Sequence, residues 1–141
     1  MNEVINSIIK RRSVKKFKDE MIPMETLEKI LVAGTYAPTG MNRQSPIMVC
    51  ITNKEIRDRL SKLNASIMGR DGIDPFYGAP VVVVVLADTS VRTYKYDGSL
   101  VMGNLMLAAH AYGVDSCWIH RAKEEFDSEE GKEILRTLGI T

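Results

Sequence analysis

Two stretches of the sequence carry side chains whose types and spacing could do chemistry. The first is Lys10-Arg11-Arg12-Ser13-Val14-Lys15-Lys16-Phe17. Guanidinium forks bind phosphate through paired hydrogen bonds, a serine hydroxyl adds a neutral one, and a lysine two residues on sets a separate positive charge along the same ligand. The ligand implied is anionic and extended; a solvated basic edge or an RNA-binding arm fits the same composition. The second stretch is Ala37-Pro38-Thr39-Gly40-Met41-Asn42-Arg43-Gln44-Ser45-Pro46. Pro38 and Gly40 suit a tight turn, and Thr39, Asn42 and Gln44 offer donors and acceptors to a polar heterocycle. Plain turn and capping chemistry accounts for those residues too.

Other chemistries find no support. There is no G-x-G and hence no dinucleotide fingerprint. Gly98 and Gly103 have the spacing of a phosphate-binding loop, but Asn104 and Leu105 stand where its lysine and hydroxyl residue belong. His110 and His120 form no H-E-x-x-H, and no G-x-S-x-G supplies a hydrolase nucleophile. No metal site is expected.

These stretches must be held by a folded scaffold, and 141 residues with 45% hydrophobic content provide one. One domain over residues 1–141 is expected, since no linker or repeat divides the chain. Its 19 basic and 18 acidic residues leave a net charge of +1, which argues against a dedicated nucleic-acid binder. Cys50 and Cys117 sit apart in apolar surroundings and read as small hydrophobes of a reducing compartment. Apolar runs at the N-terminus and at residues 81–87 are too short for a leader or a membrane span. A cytoplasmic protein is expected.

Val4, Ile5, Ile8 and Ile9 recur at helical spacing, and Pro23 opens a second helix through Leu27, Ile30 and Leu31 to Gly34. Residues 46–52 read as a strand and 54–67 as a polar helix. A Gly- and Asp-containing loop follows over 69–78. Continuous apolar sequence over 81–86 suits a central strand covered on both faces. Residues 97–112 form a largely buried helix capped by Gly113, with Met102 and Met106 filling gaps. Residues 114–119 read as a further strand and the acidic C-terminal stretch as one or two helices. The order is α+β rather than strictly alternating.

Arg11-Arg12-Ser13-Val14-Lys15-Lys16-Phe17, the 37–46 segment, Ala79-Pro80 before a β-branched run, and Gly113-Val114-Asp115-Ser116-Cys117-Trp118-Ile119 together resemble the FMN-dependent nitroreductase family, in register from about residue 8 to 138. The resemblance implies an α+β fold with a central mixed or antiparallel sheet flanked by helices, in an intertwined homodimer with FMN at the subunit interface. Arg11, Arg12 and Ser13 would hold the phosphate and ribityl end, and Lys15 would approach N1 and C2 of the ring. A cation there stabilises the charge of the reduced flavin. Pro38, Thr39, Gly40, Asn42 and Gln44 would reach the flavin of the partner subunit. Trp118, Ile119, His120 and Arg121 match the segment beside the ring, near N5.

The activity implied is ping-pong transfer of hydride from NADH or NADPH through FMN N5 to a nitroaromatic, quinone or similar small molecule; the alternative is a non-catalytic dimer that binds flavin or another nucleotide. His120 is a candidate proton donor, because an imidazole exchanges protons near neutral pH, or else a solvent-facing or packing residue. His110 reads as a core residue and Met41 as a candidate pocket lining. Family members continue past the point where this chain stops, Gly139-Ile140-Thr141, into another strand and a basic tail. The resemblance therefore implies an unpaired sheet edge here, and a phosphate site resting on Arg11, Arg12 and Ser13 alone.

Overall fold

The computed structural model describes residues 2–141. Asn2 accepts hydrogen bonds from the amides of Val4 and Ile5 and so starts α1 (Glu3–Lys10). Pro23 occupies the cap position of α2 (Met24–Thr35), one residue earlier than the first turn. A short strand, β1 (Ile47–Ile51), leads into α3 (Lys54–Ile67), which Asn53 caps by accepting from the Ile56 amide at 3.0 Å. Then follow β2 (Val82–Leu86), α4 (Tyr94–Ala111), α5 (Ala122–Asp127) and α6 (Glu129–Thr137). The architecture is α+β.

The chain divides into two compact units. The first comprises the chain through Lys15, Glu20–Cys50 and Val83–Trp118. Its core is Ile30, Ala37, Val101, Leu105 and Ala109, with Met48, Val83 and Val85 packed against it. Each fully buried aliphatic side chain contributes roughly 1.5–3 kcal/mol. Gly34 lets α2 and α4 approach closely, since a methyl group there would lie 2.6 Å from Met48 Sδ and 2.8 Å from a Leu105 methyl. α4 begins at Tyr94, three residues before the expected start, and its solvent face carries Tyr96 and Leu100, so it is half-covered rather than largely buried. Gly113 ends it in a left-handed conformation (φ 75°), as anticipated. The near-miss phosphate loop at 98–103 is regular helix.

β2 pairs only with β1 among the described residues, so it is not the middle of a wider sheet there. Its uninterrupted apolar sequence still has a cause: Val83 and Val85 pack on the core while Val84 between them is buried as well. The strand expected over 114–119 is reduced to one parallel bridge, Ser116 with Ser13. Beyond Ser116 no neighbouring strand among the described residues continues the ladder.

The second unit comprises Lys16–Asp19, Ile51–Val82 and Ile119–Thr141. Leu60, Ala65, Phe76, Phe126 and Ile134 are buried in it. α5 and α6 meet at Ser128, whose hydroxyl accepts from the Gly131 amide at 3.1 Å and donates to the Glu125 carbonyl. Gly131 has no room for a side chain, because a Cβ would fall 1.9 Å from that carbonyl. The loop before β2 is tied down by Asp74, which accepts from Arg57, from the Ser61 hydroxyl at 2.7 Å and from the amides of Phe76 and Gly78. Arg57 also donates to the Ala79 carbonyl at 2.8 Å and lies over the Phe76 ring.

Burial pushes the Asp74 carboxyl up, but Arg57, Ser61 and the two amides outweigh it and hold the group down at about 2, against 3.8 for the free side chain. The stability this contributes is complete above pH 3.8 and is lost as pH falls through about 2. Acid unfolding of Asp74→Asn should lack that part of the pH dependence, and chemical denaturation at pH 7 should show it less stable by about 1–3 kcal/mol.

Candidate functional site

The basic stretch begins where α1 ends. Arg12 turns back on the helix, donating from Nη1 to the carbonyls of Ile9 at 2.6 Å and Arg11 at 2.8 Å, and so satisfies carbonyls that the helix end leaves open. Arg11 is half-buried, and its Nη1 is shielded from solvent without a hydrogen-bond partner. A buried guanidinium nitrogen with nothing to donate to is costly, and an anionic oxygen is the acceptor that best relieves it. Lys15 is exposed.

Ser13 bridges to Ser116, and the Val14 amide donates to the Ser116 carbonyl at 3.1 Å. Two segments far apart in sequence, the basic stretch and the run leading to Trp118, are thereby brought side by side. Trp118 is half-exposed.

Residues 38–44 form a tight, strained loop around a single 3-10 turn at Gly40–Asn42. Met41, Asn42 and Gln44 all have φ of 53°, the left-handed region that costs non-glycine residues energy. Internal hydrogen bonds hold it: Thr39 Oγ1 accepts from the Gln44 amide at 3.0 Å, and Gln44 Nε2 donates to Asn42 Oδ1 at 2.8 Å. Thr39, Gln44, Pro46, Met48, Gly34 and Val101 line a cleft of about 170 Å³. Met41, 86% exposed, points away from any protein packing.

The strongest anchor of this loop is a residue that the sequence reading did not single out. Asp97, 2% exposed in the first turn of α4, accepts from the Gly40 amide at 3.0 Å and from the Thr93 hydroxyl at 2.8 Å. Gly40 is required for that contact, since a Cβ would lie 2.3 Å from Thr93 Oγ1. The available signal was a carboxylate opening an otherwise apolar helix, where a buried charge must have partners.

In the second unit, the Ile119, His120 and Arg121 positions lead into α5. His120 is exposed and Ile119 half-buried. Arg121 adopts φ 81°, and its Nε donates to Asn64 Oδ1 at 2.9 Å, so its side chain is engaged within the unit. His110 is half-buried near the end of α4; Cys50 and Cys117 are free, half-buried thiols, and burial pushes that of Cys50 up. An open depression of about 630 Å³, lined in part by Lys62, Ser66, Asp71 and Glu130, holds none of the expected site residues. No helix among the described residues is long and apolar enough to cross a membrane.

A family model described as the nitroreductase family matches residues 8–141. The chain is 30% identical to a protein of Archaeoglobus fulgidus provisionally named NADH dehydrogenase/NAD(P)H nitroreductase, over 99% of this chain and 78% of that one. A Methanothermobacter thermautotrophicus protein of the same provisional name is 27% identical over 82% of this chain, the match spanning only 60% of the relative's length. Among solved structures, a nitroreductase with bound FMN from Bacteroides fragilis superposes with a TM-score of 0.89 at 29% identity, covering 100% of this chain and 82% of that one.

Replacing Asp97 by Ala should free both the Gly40 amide and the Thr93 hydroxyl. Denaturant unfolding should show a loss of about 2–3 kcal/mol, and amide exchange at Gly40 should speed up more than that at the core of α4.

Proposed function

The chain belongs to the nitroreductase family, and on that premise we propose that it is an FMN-dependent oxidoreductase using NADH or NADPH to reduce a nitroaromatic, quinone or similar small molecule. The observation that carries this reading is the Arg11 guanidinium, its Nη1 buried without an acceptor in a basic stretch pinned beside Ser116. FMN, when bound, would supply the redox chemistry, passing hydride from NAD(P)H to a second acceptor in a ping-pong order.

The residues of the chain have distinct parts in this. Arg11 and Ser13 hold the phosphate and ribityl end; Arg12 contributes the donors not engaged by α1. Lys15 would bring its charge to the N1 and C2 side of the ring, where it would stabilise developing negative charge. Pro38, Thr39, Gly40, Asn42 and Gln44 present a rigid polar edge to the cofactor of a second copy, already organised by Asp97 and the internal hydrogen bonds, so little ordering entropy is lost on binding. By the family likeness, the main chain of Trp118 and of Ile119, His120 and Arg121 would serve the N5 side. Residues 1–141 act as one FMN-binding domain.

The reading includes a homodimer. Val4, Ile5, Ile8 and Ile9 on α1 are 47–60% exposed although they form its apolar face, and Tyr36 is 80% exposed. Apolar area of this kind on one unit supports a protein partner, and a second copy is the partner that also completes the flavin site.

Purified protein reconstituted with FMN should be yellow, should bleach with NADH or NADPH under anaerobic conditions, and should give parallel double-reciprocal lines. Colour without bleaching would instead support the non-catalytic dimer. Arg11→Ala and Asn42→Ala should each weaken FMN binding, Arg11→Ala by about 10- to 100-fold. Separately, Ile5→Asp with Ile8→Asp should shift sedimentation from dimer to monomer and release FMN in the same samples.

A further inference from the structure

Asn64 is fully buried on α3, yet both ends of its amide are directed at the turn before α5. Nδ2 donates to the His120 carbonyl at 3.0 Å and Oδ1 accepts from Arg121 Nε at 2.9 Å. The contacts join a helix interior to a loop that follows it by more than fifty residues. Arg121 holds φ 81° without being glycine, a conformation that persists only where surrounding contacts over-determine it.

Glu125 stands behind the pair. It is 4% exposed, and its Oε1 has no hydrogen-bond partner. Its main chain is fixed as well, between the Ser128 hydroxyl and the close approach of Gly131. The Asn64 amide and the Arg121 charge act on this buried carboxylate and offset part of the cost of burying it.

We propose that Asn64, backed by Glu125, is the positioning residue that fixes the main chain at His120 and Arg121. The proposal deepens the functional reading above and rests on it for its consequence: this main chain is the stretch assigned there to the N5 side of the flavin. Asn64 touches neither cofactor nor substrate. It sets where the backbone groups of the turn point, and Glu125 favours the amide orientation that sends Nδ2 to the carbonyl while drawing Arg121 inward.

Burial pushes the Glu125 carboxyl up to about 7, while the Asn64 amide and Arg121 hold it down and Glu124, on its own helix, pushes it further up. α3 presents to it the uncharged Asn64, α6 the main chain at Gly131, and the turn Arg121. The hub therefore gains or loses a charge near neutral pH, and the grip on Arg121 follows.

The chain has a single tryptophan, Trp118, two residues before the turn, which gives a readout independent of flavin. In the full chain without FMN, Asn64→Asp, nearly isosteric but lacking the amide donor, should raise amide exchange over residues 119–122 about tenfold and make Trp118 more accessible to acrylamide. Wild-type quenching should change between pH 6 and 8, roughly around the Glu125 transition, and this step should be absent from Glu125→Gln. With FMN bound, Asn64→Asp should slow flavin reduction about tenfold while changing FMN affinity less than about threefold, a split that general destabilisation does not produce.

Unchanged exchange over 119–122 in folded Asn64→Asp would overturn the proposal. If that variant does not fold, a Glu125→Gln protein with the wild-type quenching profile overturns it instead. Wild-type protein that binds no FMN would sink the functional reading, and the exchange and quenching results would still decide the role of Asn64.

Discussion

At Gly34 the space between α2 and α4 is too small for a methyl group, and much of the first unit follows from that contact. With no side chain in the way, Leu105 and Met48 close over the α2 backbone, and Ile30, Val101 and Ala109 form a continuous apolar interior. α4 is thereby held in one orientation, with Asp97 buried in its first turn beneath the 38–44 loop. The loop in turn can keep three left-handed non-glycine residues because its anchor does not move. A packing constraint between two helices is thus the condition for a polar, pre-organised loop.

The same unit leaves obligations unmet. α1 buries none of its residues, although its apolar side is well formed, and a guanidinium nitrogen of Arg11 is withdrawn from water without an acceptor. Exposed apolar residues and orphaned donors both cost free energy, and each is relieved by a different kind of partner, another apolar surface in one case and an anion in the other. Both features lie at the basic stretch, the apolar side on the helix that leads into it and the orphaned donor just after that helix ends.

Much of the fold could be read along the chain because it depends on local patterns. The helix expected over 54–67 and the strand expected over 46–52 appear there, and the acidic C-terminal stretch, read as one or two helices, forms two on either side of Ser128. The strand expected over 114–119 forms only as the Ser116 bridge, because β-branched and aromatic residues signal a tendency to extend, while a ladder needs a neighbour that sequence does not specify. For α4, Asp97 looked like a boundary, whereas its carboxylate is consumed by Gly40 and Thr93 and the helix starts a turn earlier. Asn64 and Glu125 were invisible for a related reason: a polar residue on a polar-looking helix has no sequence mark of being buried.

By itself, then, the sequence determined which residues bear charge, which stretches must turn, and which helices have an apolar side, together with a family likeness carried by ordered motifs. These are properties of short segments, governed by propensity and spacing. Tertiary structure alone decided that Ser13 lies beside Ser116, that Asp97 supports Gly40, and that Asn64 grips His120 and Arg121. Such pairings depend on where helices approach closely enough to exclude water, and hydrogen bonds become decisive there because an unpartnered polar group has no solvent to fall back on.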